Sequence, residues 1–306
     1  MNPIEIENLQ KVYVKGLKQQ KVVAVNDLTL AVEEGEIFGF VGPNGAGKTS
    51  TIKIICHLLR ATSGRVTLMG MDVSLAKARK QVGYLPENPS YYDYLTGEEM
   101  LAFNGTIHGM KPDRIRERSK ELLGFVELED SARRPIRTYS KGMVQRVGIA
   151  AALIHDPRVL IFDEPMSGLD PIGRRLVMDL MLQLRAEGKT IFFSTHILAD
   201  VESICDRIGV IVEGKLVYEG SMEAVRSSAI RHYELVFSAD AAEVSRITWP
   251  GDAVPERRAD LYVLAVEPDY FEATMKILME RGFKVNRIEP KRERLEDIFV
   301  DLAGNK

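Results

Sequence analysis

The sequence predicts an α/β domain built on a largely parallel sheet, followed by a small α+β domain. Three observations carry this. First, short apolar runs at residues 37–42, 159–163, 190–195 and 207–212 alternate with helical patterns. Such runs are the mark of strands buried on both faces. Second, residues 87–155 are mostly helical and fall between the two halves of that alternation. Third, the pattern changes near Met222 to widely spaced strands and helices. The expected domains are therefore 1–221, with its helical subdomain at about 87–155, and 222–306.

Taken in order, residues 4–9 and 22–32 alternate apolar and polar side chains, which predicts antiparallel strands. Residues 33–36 (EEGE) form a turn into the apolar strand IFGFVG. A glycine-rich loop and a helix over 48–59 follow. Residues 61–70 read as turn and strand, and 82–85 as a short strand. Leu122, Leu123, Val126 and Leu128 set the apolar period inside the helical block. Residues 174–187 and 197–205 read as helices, and Glu213-Gly214 as a hairpin turn. Beyond Met222, strands are expected at 232–238, 261–266 and 283–289, and helices at 239–247, 269–281 and 293–302. That order suggests a ferredoxin-like arrangement.

Composition narrows the class. Hydrophobic residues make up 45% and charged residues 28% of the 306 residues, ordinary for a globular chain. Lys and Arg number 41 against 44 Asp and Glu, a net charge of −3. No basic excess points to general nucleic-acid binding, and none is expected. The two cysteines, Cys56 and Cys205, have no metal-ligand spacing and read as buried thiols in helices. The first ten residues carry Glu5 and Glu7 and no apolar core, so no secretory signal is expected there. No uncharged apolar run reaches the ~18 residues of a membrane span. Work at a membrane would require another chain as anchor.

Two segments carry chemistry. Residues 42–49, GPNGAGKT, match the phosphate-binding pattern G-x-x-x-x-G-K-[ST] without a gap. Glycines let backbone N–H groups face phosphate oxygens, and the following helix adds the positive end of its dipole. Lys48 reaches the outer phosphates and Thr49 can ligate Mg²⁺. The nucleotide-binding set expected here is Asn44, Gly45, Ala46, Gly47, Lys48, Thr49 and Ser50. Further on, the apolar strand VLIF ends in Asp163-Glu164. Paired acids at a strand end are costly unless a cation or substrate uses them. Asp163 is assigned to magnesium and Glu164 to the general base that activates water.

Residues 139–146, YSKGMVQR, resemble the signature L-S-G-G-Q of the ABC ATPase family. Ser140 and Gly142 match, whereas Tyr139, Lys141 and Met143 depart at the first, third and fifth places. Ser140 is also what a plain helix N-cap looks like, and the two readings coexist because a capped N-terminus is an anion site. The other family motifs follow in order: SGLD at 167–170 resembles the D-loop, and Ser194-Thr195-His196 the switch histidine. Gly83-Tyr84-Leu85-Pro86-Glu87 resembles the Q-loop region with Glu87 in place of glutamine. The resemblance covers residues 1 to about 220.

The resemblance implies a P-loop NTPase core with an antiparallel β subdomain and the inserted helical subdomain. It implies ATP and Mg²⁺ as ligands. Tyr13 is to stack on adenine, and His196 to bond the γ-phosphate. Ser140 and Gly142 are to contact the partner's nucleotide, with Asp170 at the dimer interface. Glu87 joins Thr49 and Asp163 as a magnesium or coupling residue. The implied partners are a second copy or a related ATPase subunit, in a head-to-tail dimer with ATP sandwiched between chains, and transmembrane permease subunits. The chain would then work at the cytoplasmic face of a membrane and drive transport. The Tyr-Leu-Pro-Glu form and the RLEDIF stretch at 294–299 point to export. A non-transport ABC ATPase of translation or DNA repair is the alternative. The former usually has tandem units, and the latter long coiled coils that residues 49–139 lack.

Overall fold

The computed structural model describes residues 2–15, 20–226 and 230–292. The chain divides into two compact units, one ending at Met222 and the other beginning at Glu223.

The first unit opens with β1 (Ile4–Lys15), β2 (Gln20–Val32) and β3 (Ile37–Val41), and then α1 (Lys48–Ile55). Next come β4 (Ser63–Leu68), β5 (Met71–Asp72), α2 (Ala76–Arg79) and β6 (Val82–Leu85). The helical block consists of α3 (Gly97–Ile107), α4 (Pro112–Phe125) and α5 (Lys141–Leu153). The chain then returns to β7 (Val159–Asp163), α6 (Pro171–Ala186), β8 (Thr190–Thr195), α7 (Leu198–Ile204), β9 (Arg207–Val212) and β10 (Lys215–Ser221), and α8 (Met222–Arg226) lies at the division.

Two sheets build this unit. One is antiparallel, in the order β2-β1-β4-β5. The other runs β10-β9-β3-β8-β7-β6, parallel throughout except for the β9–β10 hairpin. Every residue of β3, β7 and β8 is buried, which is why these strands read as apolar runs without alternation. Phe38 and Phe192 stack, with Phe40 tilted against the same ring, at the centre of a core that also takes in Ile4, Leu30 and Ile52.

Local chemistry sets the ends of the elements. Thr96 and Glu99 close α3 with a capping box. Ser140 caps α5 and Asp170 caps α6, each accepting a backbone N–H three residues on. The Glu213-Gly214 turn has both residues at positive φ, as a type I′ hairpin requires. Three expectations need correction. β1 continues to Lys15, past the predicted 4–9, because register shifts beyond Ile6 break its alternation, and β2 begins at Gln20, two residues before the predicted start. α1 stops at Ile55 rather than Leu59, since His57 adopts a left-handed φ of 54°. Both cysteines lie just beyond helix ends, as the C-caps of α1 and α7, and only Cys205 is fully buried.

The second unit contains β11 (Ile230–Ser238), α9 (Ala241–Val244), β12 (Glu256–Arg258), β13 (Leu261–Val266), α10 (Phe271–Glu280) and β14 (Lys284–Arg292). Its sheet is antiparallel, in the order β12-β13-β11-β14. This βαββαβ path with its first strand central is the ferredoxin-like arrangement. Phe237 lies against Trp249, Tyr262 and Phe283 in the core of this unit. The three-residue β12 was not expected, and α9 is shorter than the predicted 239–247. The helix expected at 293–302 lies outside the described residues.

Candidate functional site

Strand register gathers the motifs. In the parallel sheet Val41 lies opposite Thr195, Asp163 opposite Ser194, and Leu85 opposite Phe162. The glycine loop, the two acids, the segment leading to Glu87 and His196 therefore all leave the sheet at its C-terminal edge. Ligands of open α/β sheets bind there. The Gly42 N–H donates to Thr195 O at 3.3 Å and ties the loop to the strand that delivers His196.

The loop between β3 and α1 depends on Gly47. It has φ 111°, and a Cβ there would lie 2.2 Å from the Ala24 carbonyl oxygen. No other residue type fits. Gly47 is also the N-cap of α1 and, having no side chain, leaves the first N–H groups of the helix uncapped for an anion. Lys48 is buried at the first helical position. Its Nζ donates to Gly42 O at 2.7 Å and Pro43 O at 3.3 Å, and pairs with Glu164 Oε1 at 3.1 Å. Asn44 and Gly45 are exposed at the loop's crest, while Ala46 is buried beneath it.

Asp163 is almost wholly buried. Its Oδ1 accepts from Ser194 Oγ at 2.7 Å and from Thr49 Oγ1 at 3.3 Å. Burial pushes its carboxyl above the usual range. The two hydroxyl bonds oppose that rise, and the charges of Glu87 and Glu164 add to it. The next residue, Glu164, stands at a left-handed φ of 49°, rare for a non-glycine residue. Its N–H donates to Ser194 Oγ at 2.9 Å. Its Oε2 lies 2.9 Å from His196 Nδ1. One carboxylate thus links the Lys48 ammonium to the imidazole.

Ser194 joins the site without having been given a role from the sequence. Its hydroxyl donates to Asp163 and accepts from Glu164 N–H, so it sets the angle between the two acids. The available signal was a hydroxyl ending a buried strand, in register with the acidic strand. Cys56 is also close enough to feel Asp163: burial, and then that charge, push its thiol up. Among the described residues no group of three or more His, Cys, Asp or Glu could hold a metal by itself. Thr49 and Asp163 nonetheless offer hard oxygen donors beside a phosphate-binding loop, the donor chemistry that Mg²⁺ takes together with substrate phosphates. The residues fit that ion.

Tyr13 lies on β1, with its hydroxyl 3.2 Å from Ser50 Oγ on α1, and Lys11 Nζ lies 5.0 Å from the centre of its ring. Its half-buried ring is therefore held beside the P-loop helix. Ser140, Gly142 and Asp170 belong elsewhere. They line a concavity of about 360 Å³ between the N-termini of α5 and α6, and no P-loop residue shares it. The structure thus brings Lys48, Thr49, Asp163, Glu164 and His196 together and sets the signature apart.

A strand–glycine loop–helix unit with a buried lysine, a threonine hydroxyl and a strand-end acid pair defines a P-loop nucleoside triphosphatase. Comparison with known proteins narrows the class. The "ABC transporter" family pattern matches residues 25–167. An ABC transporter ATP-binding protein of Synechocystis sp. is 44% identical, covering 94% of this chain and 87% of its own length. The linearmycin resistance ATP-binding protein LnrL of Bacillus subtilis is 36% identical over 71% of this chain and 69% of its own. Among solved structures, the ATP-binding cassette MJ0796, a dimer in a post-hydrolysis state bound to ADP and Pi, superposes with a TM-score of 0.66 at 27% identity. That match covers 72% of this chain and 98% of the cassette. The chain belongs to the ABC transporter family, as an ATP-binding subunit with ATPase activity.

Proposed function

We propose that this chain binds MgATP, closes head-to-tail on a second copy or a related subunit, and drives export through separate permease subunits at the cytoplasmic face of a membrane. The observation that carries the catalytic half is the continuous Lys48–Glu164–His196 contact beside Thr49–Asp163–Ser194. When bound, Mg²⁺ neutralises phosphate charge, and Thr49 and Asp163 hold it, with Glu87 adding negative charge nearby. The triphosphate competes with Glu164 for Lys48. Glu164, released from the ammonium but still held at Oε2 by His196 Nδ1, accepts a proton from water. The water oxygen attacks the γ-phosphorus, the bond to the β-phosphate oxygen breaks, and ADP carries away the electron pair. The left-handed backbone at Glu164 keeps the carboxylate aimed at that water. Nε2 of His196, without a partner among the described residues, donates to the γ-phosphate when the ring carries both protons. Tyr13 covers the adenine, and Ser50 holds its hydroxyl.

The dimer is favoured because P-loop and signature line different places on one chain, and because the MJ0796 cassette was solved as a dimer. ATP then binds the two chains together. Loss of the γ-phosphate removes its charge-assisted contacts and lets them part. Asp170 caps α6 next to the signature, which suits a link between the two sites. Among the described residues no helix is long and apolar enough to cross a membrane, so the membrane path is assigned to other chains. Tyr92, Tyr94, Phe103 and Ile107 expose apolar surface at the start of the helical subdomain, with Tyr92 in ring contact with Tyr94 and Phe103. Aromatic exposure of this kind suits a docking face for a permease. Export is favoured by the resistance function in LnrL's name. The second unit is assigned a part in stabilising or regulating the dimer.

The test is MgATP hydrolysis and solution mass, for wild type and Glu164→Gln. The expected result is hydrolysis by wild type only, with the variant shifting to dimer mass in ATP. Equal hydrolysis by both proteins would remove Glu164 as the base.

A further inference from the structure

The signature concavity contains a cation that the family pattern does not supply. Lys141 occupies the first position of α5, where the pattern carries glycine. A cation at a helix N-terminus is opposed by the helix dipole, and the first turn of α5 contains no acidic residue to offset it. Lys141 is exposed and makes no ion pair among the described residues. Its position is nonetheless defined. A Cβ placed on Gly168 would lie 2.2 Å from Lys141 Nζ, 3.2 Å from Cε and 3.6 Å from Cδ. The stem therefore lies along Gly168, whose φ of 67° and missing side chain leave room for it. The signature loop meets the D-loop here, and again where Leu169 Cδ2 approaches Gly142.

The other charged groups of the concavity are engaged. Arg146 gives its guanidinium to the carbonyls of Val126 and Glu127. The Asp170 carboxylate accepts the Gly173 N–H at 2.9 Å. The first N–H groups of α5, at Lys141 and Gly142, add positive potential beside the ammonium. At the rim Ile172 is 77% exposed, an apolar side chain that suits a face covered by protein. The site is electropositive and shaped by two loops, and the chain's own phosphate loop does not line it.

We propose that Lys141 is a further nucleotide-binding residue acting in trans: its ammonium binds the terminal phosphate of the ATP held by the P-loop of a second copy. This rests on the head-to-tail reading above. Lys141 then favours closure on ATP over ADP, because ADP lacks the phosphate it meets. It also makes closure more salt-sensitive than a glycine-bearing signature would.

The experiment uses the full chain carrying Glu164→Gln, which holds ATP without consuming it. Lys141→Met keeps the stem over Gly168 and removes the charge, while Lys141→Arg keeps a charge. Dimer formation is followed by sedimentation across an ATP titration at two salt concentrations. ATP binding to dilute monomer is measured with a fluorescent ATP analogue, as a control for folding. The parent should dimerise with ATP. Lys141→Met should need about 10-fold more ATP to half-saturate dimerisation, a difference of about 1.4 kcal/mol. It should do so with unchanged monomer binding and a flatter salt dependence, and Lys141→Arg should stay within about 3-fold of the parent. If Lys141→Met matches the parent, the charge is not used and the proposal fails while the dimer reading stands. If the parent itself stays monomeric in ATP, the dimer reading fails and this proposal falls with it.

Discussion

Replacing Lys48 by methionine keeps the bulk of a buried side chain and removes its charge, which isolates what the ion pair with Glu164 contributes. Lys48 is 5% exposed and Glu164 7% exposed, and the pair distance is 3.1 Å. At an effective dielectric of about 20 the gross attraction is about 5 kcal/mol. Removing one member of a buried pair typically costs about 3–5 kcal/mol, because the other charge stays buried without compensation. For a unit of this size, each kcal/mol shifts the melting temperature by about 2–4 °C. The Lys48→Met protein, without nucleotide, should therefore melt about 6–20 °C below wild type. Adding Glu164→Gln should recover more than half of that loss, because a neutral amide needs no cation beside it. Calorimetry and urea titration followed by circular dichroism on wild type, both single variants and the double variant complete the cycle. If the Lys48→Met protein and the double variant melt within about 2 °C of each other, Glu164 does not depend on Lys48. The competition between phosphate and carboxylate for that ammonium then loses its basis.

Ser194→Ala removes the donor to Asp163 and leaves the Glu164 N–H without its acceptor. It should cost about 2–3 kcal/mol by urea titration and lower the hydrolysis rate at least ~10-fold. Asp163→Asn should raise the melting temperature of the protein without nucleotide by a few degrees while abolishing hydrolysis. The native carboxyl is held above its unfolded range, so stability falls as pH rises from about 4 through the raised value. The gain in the variant should accordingly be absent at about pH 4 and grow as pH rises through the raised value. His155 stacks on His108 with ring centres 3.7 Å apart, and its Nε2 lies 3.1 Å from Val82 O. Burial, and then the charge of His108, depress its pKa to about 4. A depressed histidine stabilises the fold above its unfolded pKa, and that stability is lost as pH falls from about 6.5 toward 4. Reduced by about half for partial exposure, the loss is about 1–2 kcal/mol. Unfolding free energies at pH 7 and pH 5 should thus differ less in His155→Phe than in wild type.

The parallel sheet was the most legible part of the sequence, for a physical reason. β7, β8 and β9 appear with the predicted bounds because each is an apolar run buried on both faces. β1 loses its period where the register shifts near Asn8 and Lys11, and the start of β2 carries apolar residues, Val22 and Val23, that are exposed. β12 is three exposed charged residues, Glu256, Arg257 and Arg258, which no hydrophobic pattern could reveal. At the site, the glycine loop and the acid pair were visible because their chemistry constrains residue type at fixed spacing. The contacts that orient them were not. Ser194 acts through register with a strand 31 residues earlier at Asp163, and the Lys141 stem lies along Gly168 of a neighbouring loop. Both are tertiary facts that local sequence does not encode.

The strand that carries the phosphate loop also has a consequence for how the chain is made. β3 leaves the ribosome long before its two neighbours in the sheet, β8 and β9. Until residue 212 has been synthesised, β3 has no partner on one or both sides, and the loop after it has no Thr195 to anchor Gly42. At about 5–20 residues per second that wait lasts about 10–40 s. During it, an apolar strand ending in an unseated glycine loop must be kept from pairing with other nascent chains. Products truncated within the helical subdomain should therefore be insoluble and unable to retain ATP, however complete their phosphate loop is.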